Sequence, residues 1–385
     1  MAEDSAKEPE VSVLVPIYNV ERYLRTCLES LHMQTFKDFE VICINDGSTD
    51  GSRAIIQEFL DVDPRFRVID KNNSGYGASM NRGLREARGR YVAILESDDF
   101  FELDALARLH EASVAAKADV VKANFWLYWS CPEERRELFR AVDAREAAGI
   151  FAPLDDVALF FRKPSIWSAL YRKDFLDAND IRFKPIPGAG WADNPFLMET
   201  MLKAQKIAYL DKPFYCYREE TEEKSRAVAV NNTMLPFDRW HDMMDIIEEL
   251  GVTDEVILRA HYRRGFIYLS GVYSFVSLED ERLSCAIRDM FGRMDPALVL
   301  DDPEIPPFDR KLFAKTMGID DARISSLGFA GFMLGRGLYF MANTGLPYTA
   351  RMVKGVLKRQ FSSKTPWQET QYGERELEEK AEKGK

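Results

Sequence analysis

Three carboxylates fall within four residues at Glu96, Ser97, Asp98 and Asp99, directly after the apolar run 91–95. Such a run predicts a strand buried on both faces, with the acidic residues at its carboxyl end. Carboxylates this close repel one another, and a bound divalent cation relieves the repulsion. Mg²⁺ and Mn²⁺ prefer hard oxygen ligands of this kind. The alternative is an acidic turn that caps a helix starting near residue 102.

Three other predicted strands also end in polar residues. Tyr18 and Asn19 follow the first strand, Asp46 the second and Asn73 the third. In a parallel sheet these ends gather along one edge, where ligands of open α/β sheets bind. Together with the acidic cluster they predict a site for a nucleotide and a metal ion.

An alternation of strands and helices must position these residues. Apolar runs predict strands at 11–17, 40–45, 66–70, 91–95, 119–126 and 208–217. Amphipathic patterns predict a helix after each of the early strands, with Asn19 as the cap of the first. The alternation predicts an α/β fold with a doubly wound, mostly parallel sheet, and helical spacing beyond residue 231 predicts a C-terminal helical region.

Composition limits the classes of function. The 385 residues are 46% hydrophobic and 30% charged, which is ordinary for a globular protein of two or three domains. The net charge of −11 argues against nucleic acid as a partner. Five scattered cysteines, a polar start unlike a signal peptide and the lack of a membrane-length apolar run favour a cytoplasmic location.

Four segments in order resemble the motifs of the family-two glycosyltransferases with the A-type (GT-A) fold. They are VPIYN at 15–19, NDGSTDGS at 45–52, NSGYGASMNRG at 73–83 and ESDD at 96–99. The resemblance implies an inverting transfer of a sugar from a nucleotide-diphospho-sugar, most commonly a UDP-sugar. The implied acceptor is a hydroxyl of a cell-surface glycan, polymer or lipid-linked molecule, and the implied cofactor is Mn²⁺ or Mg²⁺.

The resemblance, which covers about residues 10–220, and the composition of the rest of the chain together predict how the chain is divided. The predicted parts are a polar tail (1–10), a GT-A domain (11–225) with nucleotide-binding (11–125) and acceptor (126–225) halves, a helical domain (226–320), basic amphipathic helices (321–368) and a charged tail (369–385).

Roles for the residues at the strand ends follow from the resemblance. The ring of Tyr18 would lie against the base, and Asp46 would accept the imino N–H that uracil presents. Glu96 and Asp98 occupy the two carboxylate positions of the family's DXD motif, so Asp98 would hold the metal, with Asp99 as its neighbour or co-ligand. The predicted donor-binding set also contains Pro16, Asn19, Glu21, Asn73, Gly75, Ser97 and Arg218.

Two positions depart from the family pattern. Glu96 is one methylene longer than the usual Asp, which leaves open whether it contacts the metal or the ribose. Met80 stands where many relatives carry Arg, and Lys71 or Arg82 would then supply the missing charge. Arg218 resembles a residue that contacts the donor diphosphate, and a surface arginine is the alternative.

Asp193 is the candidate catalytic base. Within GWADNPF at 190–196 it resembles a helix-opening carboxylate that deprotonates the acceptor hydroxyl in inverting relatives. A helix N-terminus would help to keep Asp193 ionised, as a general base must be. The alternative is an aspartate that only caps the helix. Trp167 and Trp191 are candidates for sugar-stacking walls or, equally, core aromatics.

Two other classes of protein are alternatives. A nucleotidyltransferase would carry a Gly-rich, basic triphosphate loop after the first strand, where this chain has PIYNVE at 16–21. A non-catalytic protein could keep the fold, but Asp98, Asp99 and Asp193 are all present.

Residues 322–361 form a basic, aromatic-rich segment within an acidic chain, and no Asp or Glu occurs from 322 to 368. Basic amphipathic helices of this composition lie in the interface of anionic membranes. The segment therefore predicts peripheral attachment to the inner face of the cell membrane. Helices that pack on the body or join copies into a homo-oligomer are the alternative.

Overall fold

The computed structural model describes residues 8–131, 133–141, 150–151, 165–186, 188, 191–219, 233–272 and 280–320. These residues belong to two compact units. The first comprises the described part of 1–225 together with Asp242–Val252, and the second the described part of 226–241 and of 253–385.

Ten strands form the sheet of the first unit, as far as its residues are described. They are β1 (Val11–Ile17), β2 (Phe39–Asn45), β3 (Phe66–Asp70), β4 (Tyr91–Ile94), β5 (Phe100–Phe101), β6 (Val120–Trp129), β7 (Arg135–Phe139), β8 (Ile150–Phe151), β9 (Ala169–Arg172) and β10 (Ile207–Arg218). Their order is β3-β2-β1-β4-β9-β6-β10-β5, with β7 beside β6 and β8 beside β10.

The strand directions confirm the predicted α/β class. Strand β1 pairs parallel with β2 and β4, and β2 pairs parallel with β3. Strand β9 then enters antiparallel between β4 and β6, while β10 returns parallel to β6. Every residue of β1, β2 and β4 is buried, as expected for strands covered on both faces.

The first unit contains helices α1 (Glu21–His32), α2 (Ser52–Val62), α3 (Tyr76–Glu86), α4 (Ala105–Ala116), α5 (Lys173–Ala178) and α6 (Asp193–Lys203). The prediction that Asn19 caps the first helix is wrong. The N-cap residue of α1 is Val20, and no side chain caps this end. Instead the Asn19 Oδ1 accepts a hydrogen bond of 2.8 Å from the Thr49 backbone N–H, so Asn19 joins two loops.

The described C-terminal part is helical, as predicted. Its helices are α7 (Leu235–Glu249), α8 (Glu255–Val272), α9 (Glu281–Gly292), α10 (Pro296–Leu300) and α11 (Pro307–Met317). In the second unit the Trp240 ring stacks on the His261 ring at 4.6 Å, and Phe291 contacts both Phe266 and Phe313. The Arg263 guanidinium makes a bidentate ion pair with the buried Asp302.

Two predicted segments at the C-terminal end are not described by the structure. The segment 322–361 and the tail 369–385 lie outside the described residues. Within those that are described, no helix has the length and apolar character needed to cross a membrane. All five cysteines are free thiols, as expected from their spacing.

Candidate functional site

The strand order places the predicted site at a switch point of the sheet. From β1 the chain moves outward to β2 and β3, and then returns to the other side of β1 as β4. Leu14 pairs with Ile94, and the Leu95 N–H donates to the Leu14 carbonyl at 3.0 Å. The residues that follow β1 and β4 therefore lie at neighbouring strand ends, where open α/β sheets bind ligands.

Two tyrosines hold the acidic turn after β4. The Tyr76 hydroxyl donates to the Glu96 Oε1 at 2.6 Å, and the Glu96 backbone N–H donates to the Tyr215 hydroxyl oxygen at 3.2 Å. The Tyr215 hydroxyl in turn donates to the Asp99 Oδ2 at 2.6 Å. Ser97 is buried, and the Asp98 residue is partly exposed.

Asp99 is buried and stabilises this turn through hydrogen bonds. It is 2% exposed, and its Oδ1 accepts the Arg218 backbone N–H at 2.7 Å while its Oδ2 accepts from Tyr215. Burial raises the pKa of Asp99, and the charge of Asp98 adds to the effect. Because both carboxylate oxygens already accept hydrogen bonds, Asp99 fits the predicted neighbour of a metal ligand better than the co-ligand.

Glu96, Asp98 and Asp193 are close enough for their charges to interact. Burial, together with the charges of Asp98 and Asp193, raises the pKa of Glu96 to about 8 against the opposing hydrogen bond from Tyr76. Burial likewise raises the pKa of Tyr76, with contributions from the charges of Glu96 and Asp193. Asp193 and Glu96 are far apart in the sequence, so this acidic group is assembled by the fold.

The set of donors suits a cation that is shared with a ligand. Among the described residues, no three His, Cys, Asp or Glu side chains converge as a complete protein-only metal site. Mg²⁺ is usually held by one or two carboxylates together with substrate phosphates and water. Asp98, whose charge raises the pKa of the neighbouring Glu96, supplies carboxylate oxygens of the kind that such a cation binds.

Arg218 lies beneath the acidic turn. It is 5% exposed, and its Nε donates to the Asp98 carbonyl at 2.8 Å. Its guanidinium carbon lies 4.8 Å from the Tyr23 ring centroid and 5.0 Å from that of Tyr128, within the range of cation–π attraction. The alternative of a surface arginine is therefore wrong, and the contact with the donor diphosphate stays a prediction.

The loops after β1 and β2 are tied to each other. Tyr18 is 53% exposed, so its ring is accessible to a ligand at this end of β1. Asn19 has a φ of +49°, and its N–H donates to the Ser48 Oγ at 3.2 Å. The Glu21 Oε2 accepts the Gly51 N–H at 2.6 Å, so Glu21 ties these loops together. Pro16 is buried within β1.

Asp46 is the acceptor for the loop that follows β3. Its Oδ1 accepts the Ser74 N–H at 2.9 Å and its Oδ2 accepts the Gly75 N–H at 3.0 Å. Lys71 also donates to Asp46, so of the two cations proposed to compensate for Met80, this one lies at the site. The other, Arg82, pairs with Glu86 along α3. Asn73, in the same loop, is exposed.

The start of α3 packs against the backbone of the segment that leads to Asp193. A Cβ on Gly77 would lie 2.1 Å from the Lys184 carbonyl oxygen, and a Cβ on Gly75, whose φ is +88°, would lie 2.5 Å from that of Ile186. The Asn81 side chain accepts the Phe183 N–H at 2.8 Å and donates to its carbonyl at 2.7 Å.

Asp193 is the first residue of α6. The N-cap position belongs to Ala192, and no side chain caps the helix, so the capping alternative for Asp193 is wrong. The Asn194 Nδ2 donates to the Asp193 Oδ1 at 3.2 Å. Trp191 has a φ of +52°, and Trp167 is a core aromatic that stacks on Tyr215 at 4.1 Å.

Three contributors to the site were missed from the sequence: Tyr76, Asn81 and Tyr215. The first two lie inside the 73–83 motif, which was the signal available for them. No local pattern distinguishes Tyr215, because its partners Glu96 and Asp99 are more than 110 residues away.

This mixed sheet with its flanking helices is an α/β fold of the GT-A type. S. aureus TarS 1–349, solved in complex with UDP-GlcNAc, has this fold: its TM-score is 0.64 at 23% identity, covering 80% of this chain and 87% of TarS 1–349.

Sequence comparison gives a family match. Residues 12–163 match the family model "Glycosyl transferase family 2". The glycosyltransferase GlyA of Streptococcus pneumoniae serotype 4 is 30% identical over 254 residues, which are 63% of this chain and 34% of GlyA. The cholesterol galactosyltransferase of Borreliella burgdorferi is 28% identical over 236 residues, 59% of this chain and 65% of that enzyme. The chain thus spans about a third of the first relative and under two thirds of the second.

Proposed function

We propose that this protein is an inverting glycosyltransferase, which transfers a sugar from a nucleotide-diphospho-sugar to an acceptor hydroxyl. One observation carries the proposal. The fold brings Asp193, at the start of α6, close enough to the acidic turn after β4 that its charge acts on Glu96. A donor-binding edge and a candidate base therefore share one site, which direct sugar transfer requires.

The donor is a UDP-sugar in this proposal. Tyr18 offers an exposed ring beside β1, where a base can stack. An ionised carboxylate has about four acceptor positions, and three donors occupy Asp46, so one position remains for an imino N–H such as that of uracil. The UDP-GlcNAc in the TarS structure, which has the same fold, supports this choice.

Asp98 would hold a divalent cation, Mn²⁺ or Mg²⁺, together with the donor diphosphate, and Glu96 beside it would contact the nucleotide-sugar. When bound, the cation would offset the negative charge that develops on the leaving diphosphate. Asp99 and Arg218 keep the turn in place from below through their hydrogen bonds to each other and to the Asp98 carbonyl.

Asp193 is the general base of the proposed reaction. Its carboxylate takes the proton from the acceptor hydroxyl as that oxygen attacks the anomeric carbon. The bond between this carbon and the diphosphate oxygen breaks in the same step, and the electron pair leaves with the diphosphate. A single displacement inverts the anomeric configuration. The position of Asp193 at a helix N-terminus favours its ionised form.

The acceptor is proposed by class only: a hydroxyl of a cell-surface glycan, a polymer or a lipid-linked molecule. The names of the relatives support this breadth, since one is called a cholesterol galactosyltransferase. We also propose a cytoplasmic location with peripheral attachment to anionic membrane through 322–361, based on the basic, acid-free composition of that segment.

A transfer assay with the Asp193→Asn variant tests the proposal. The wild-type chain is screened against a panel of nucleotide-sugars with Mn²⁺ or Mg²⁺, and hydrolysis of the donor is followed. Asp193→Asn should bind UDP as the wild type does, while turnover falls by roughly 10² to 10⁴. The matched control is Asp174→Asn, another first-turn aspartate whose side chain is 76% exposed, and it should keep full turnover.

Three results would count against the proposal. They are full activity in EDTA, near-normal turnover of Asp193→Asn, and a product that retains the anomeric configuration of the donor by NMR.

A further inference from the structure

Tyr76 makes two sets of contacts that point to different parts of the site. It is the first residue of α3, directly after Gly75, whose N–H binds Asp46. Its hydroxyl donates its one proton to the Glu96 Oε1 at 2.6 Å, a short, charge-assisted hydrogen bond when Glu96 is ionised. Because the Glu96 N–H is also held by Tyr215, the residue is fixed at its backbone and at its side chain.

The position of the hydroxyl accounts for a glutamate at this place in the turn. An aspartate at 96 would end one methylene short of the observed 2.6 Å contact. Met80, one turn further along α3, is fully buried and has no strong donor. Tyr76 is therefore the α3 residue that meets the Glu96 carboxylate, and it leaves Oε2 as the oxygen for a ligand.

The ring and backbone of Tyr76 face the acceptor half. The ring meets Phe183 edge-on at 5.9 Å, and Phe183 stacks on Phe196 at 4.0 Å with an interplanar angle of 6°. Phe196 lies three residues after Asp193 in α6, on the same side of the helix. The Tyr76 N–H also donates to the Gly188 carbonyl at 2.9 Å, in the segment leading to α6.

We propose that Tyr76 is a positioning residue with two separable effects. Its hydroxyl orients Glu96 to accept a hydroxyl group of the bound nucleotide-sugar, and its ring sets the position of the helix that carries Asp193. The first effect acts on donor binding and the second on the rate of transfer. The inference rests on the proposed function and adds a determinant that joins its two halves.

Two substitutions at Tyr76 separate these effects. Tyr76→Phe keeps the ring on Phe183 and removes only the hydroxyl, so the KM for the UDP-sugar and the Kd for UDP with Mn²⁺ should rise about tenfold to hundredfold, with kcat changed less than threefold. Tyr76→Leu also removes the ring contact, so kcat should fall at least tenfold further. Tyr91→Phe, the same change at the opposite end of β4, is the control and should leave both constants unchanged.

A double-mutant cycle with Glu96→Asp tests whether the Tyr76 hydroxyl acts on KM through Glu96. The shorter side chain cannot reach the hydroxyl, so adding Tyr76→Phe should change KM by less than twofold. Circular dichroism melting confirms that each variant is folded, and a purely structural role would lower the Tm of Tyr76→Phe without moving KM. That result, or additive effects of the two substitutions on KM, would overturn the inference alone. A wild-type chain that binds neither UDP nor any UDP-sugar would overturn the proposed function as well.

Discussion

Glu40 should make the stability of the first unit depend strongly on acid pH. It lies at the start of β2, is 3% exposed and accepts hydrogen bonds from Ser12 at 2.6 Å, Arg67 at 2.8 Å and Arg88 at 2.8 Å. Burial acts to raise the pKa of Glu40, but these hydrogen bonds outweigh it and lower the pKa from 4.5 to about 2. By linkage, the ionised carboxylate contributes about 3 kcal/mol to the free energy of unfolding.

The sign of the pH dependence follows from the lowered pKa. The contribution is fully present above the unfolded pKa of 4.5 and is lost as the pH falls towards the folded value of about 2. Glu40→Gln lacks the charge, so it should be less stable than wild type by about 3 kcal/mol at pH 6 and by much less near pH 2.

Urea unfolding followed by circular dichroism, at steps from pH 2 to pH 7, measures this difference. The control is Glu58→Gln, because Glu58 is half-exposed and forms a surface ion pair with Arg25. Surface pairs of this kind contribute about 0 to 1 kcal/mol, so the control should track wild type at every pH. If the gap between Glu40→Gln and wild type does not change with pH, the charged network is not the source of the stability.

Three further predictions concern other parts of the chain. Burial lowers the pKa of Lys122 to about 7, so the free energy of unfolding of wild type should rise by about 2 kcal/mol from pH 7 to pH 9, and Lys122→Met should lack that rise in urea titrations. Gly77→Ala should lower activity and Tm, because its Cβ would lie 2.1 Å from the Lys184 carbonyl oxygen. The control is Gly271→Ala, in a helix with open space around this residue, which should raise the free energy of unfolding by about 0.5 to 1 kcal/mol. The full chain should co-sediment with anionic liposomes and lose binding in high salt or when truncated before Ala322; a lack of binding by the full chain would favour the packing or oligomer alternative.

The parallel part of the fold, and the sheet edge that carries the candidate site, were predictable from the sequence. Apolar runs bury strands on both faces, and the polar residues that follow them can only gather where parallel strands end. Tyr18, Asp46 and Glu96 therefore lie along one edge of the sheet, where β1, β2 and β4 end. The prediction works because each inference needs only residues that are neighbours in the chain.

Contacts between distant segments could not be predicted in the same way. The antiparallel entry of β9 beside β4 depends on a chain reversal for which 165–172 has no distinctive pattern. The Tyr215 hydroxyl reaches Asp99 across 116 residues. Asn19 has the composition of a cap, yet its side chain binds Thr49, because the loop after β2 lies beside it in space. In each case the deciding partner came from elsewhere in the fold.

The 73–83 segment explains how one short motif can serve both substrates of the proposed reaction. On one side the Ser74 and Gly75 N–H groups bind Asp46, the candidate contact for the nucleotide base of the donor. On the other side Gly77 and Asn81 fit the backbone at 183–184, which leads to the helix of Asp193. Gly75 permits both, since its φ of +88° turns the chain between them and its missing side chain admits the Ile186 carbonyl. A shift of the backbone on the donor side would therefore be transmitted to Asp193 through packed backbone, so substitutions of Gly75 or Gly77 should alter donor binding and turnover together.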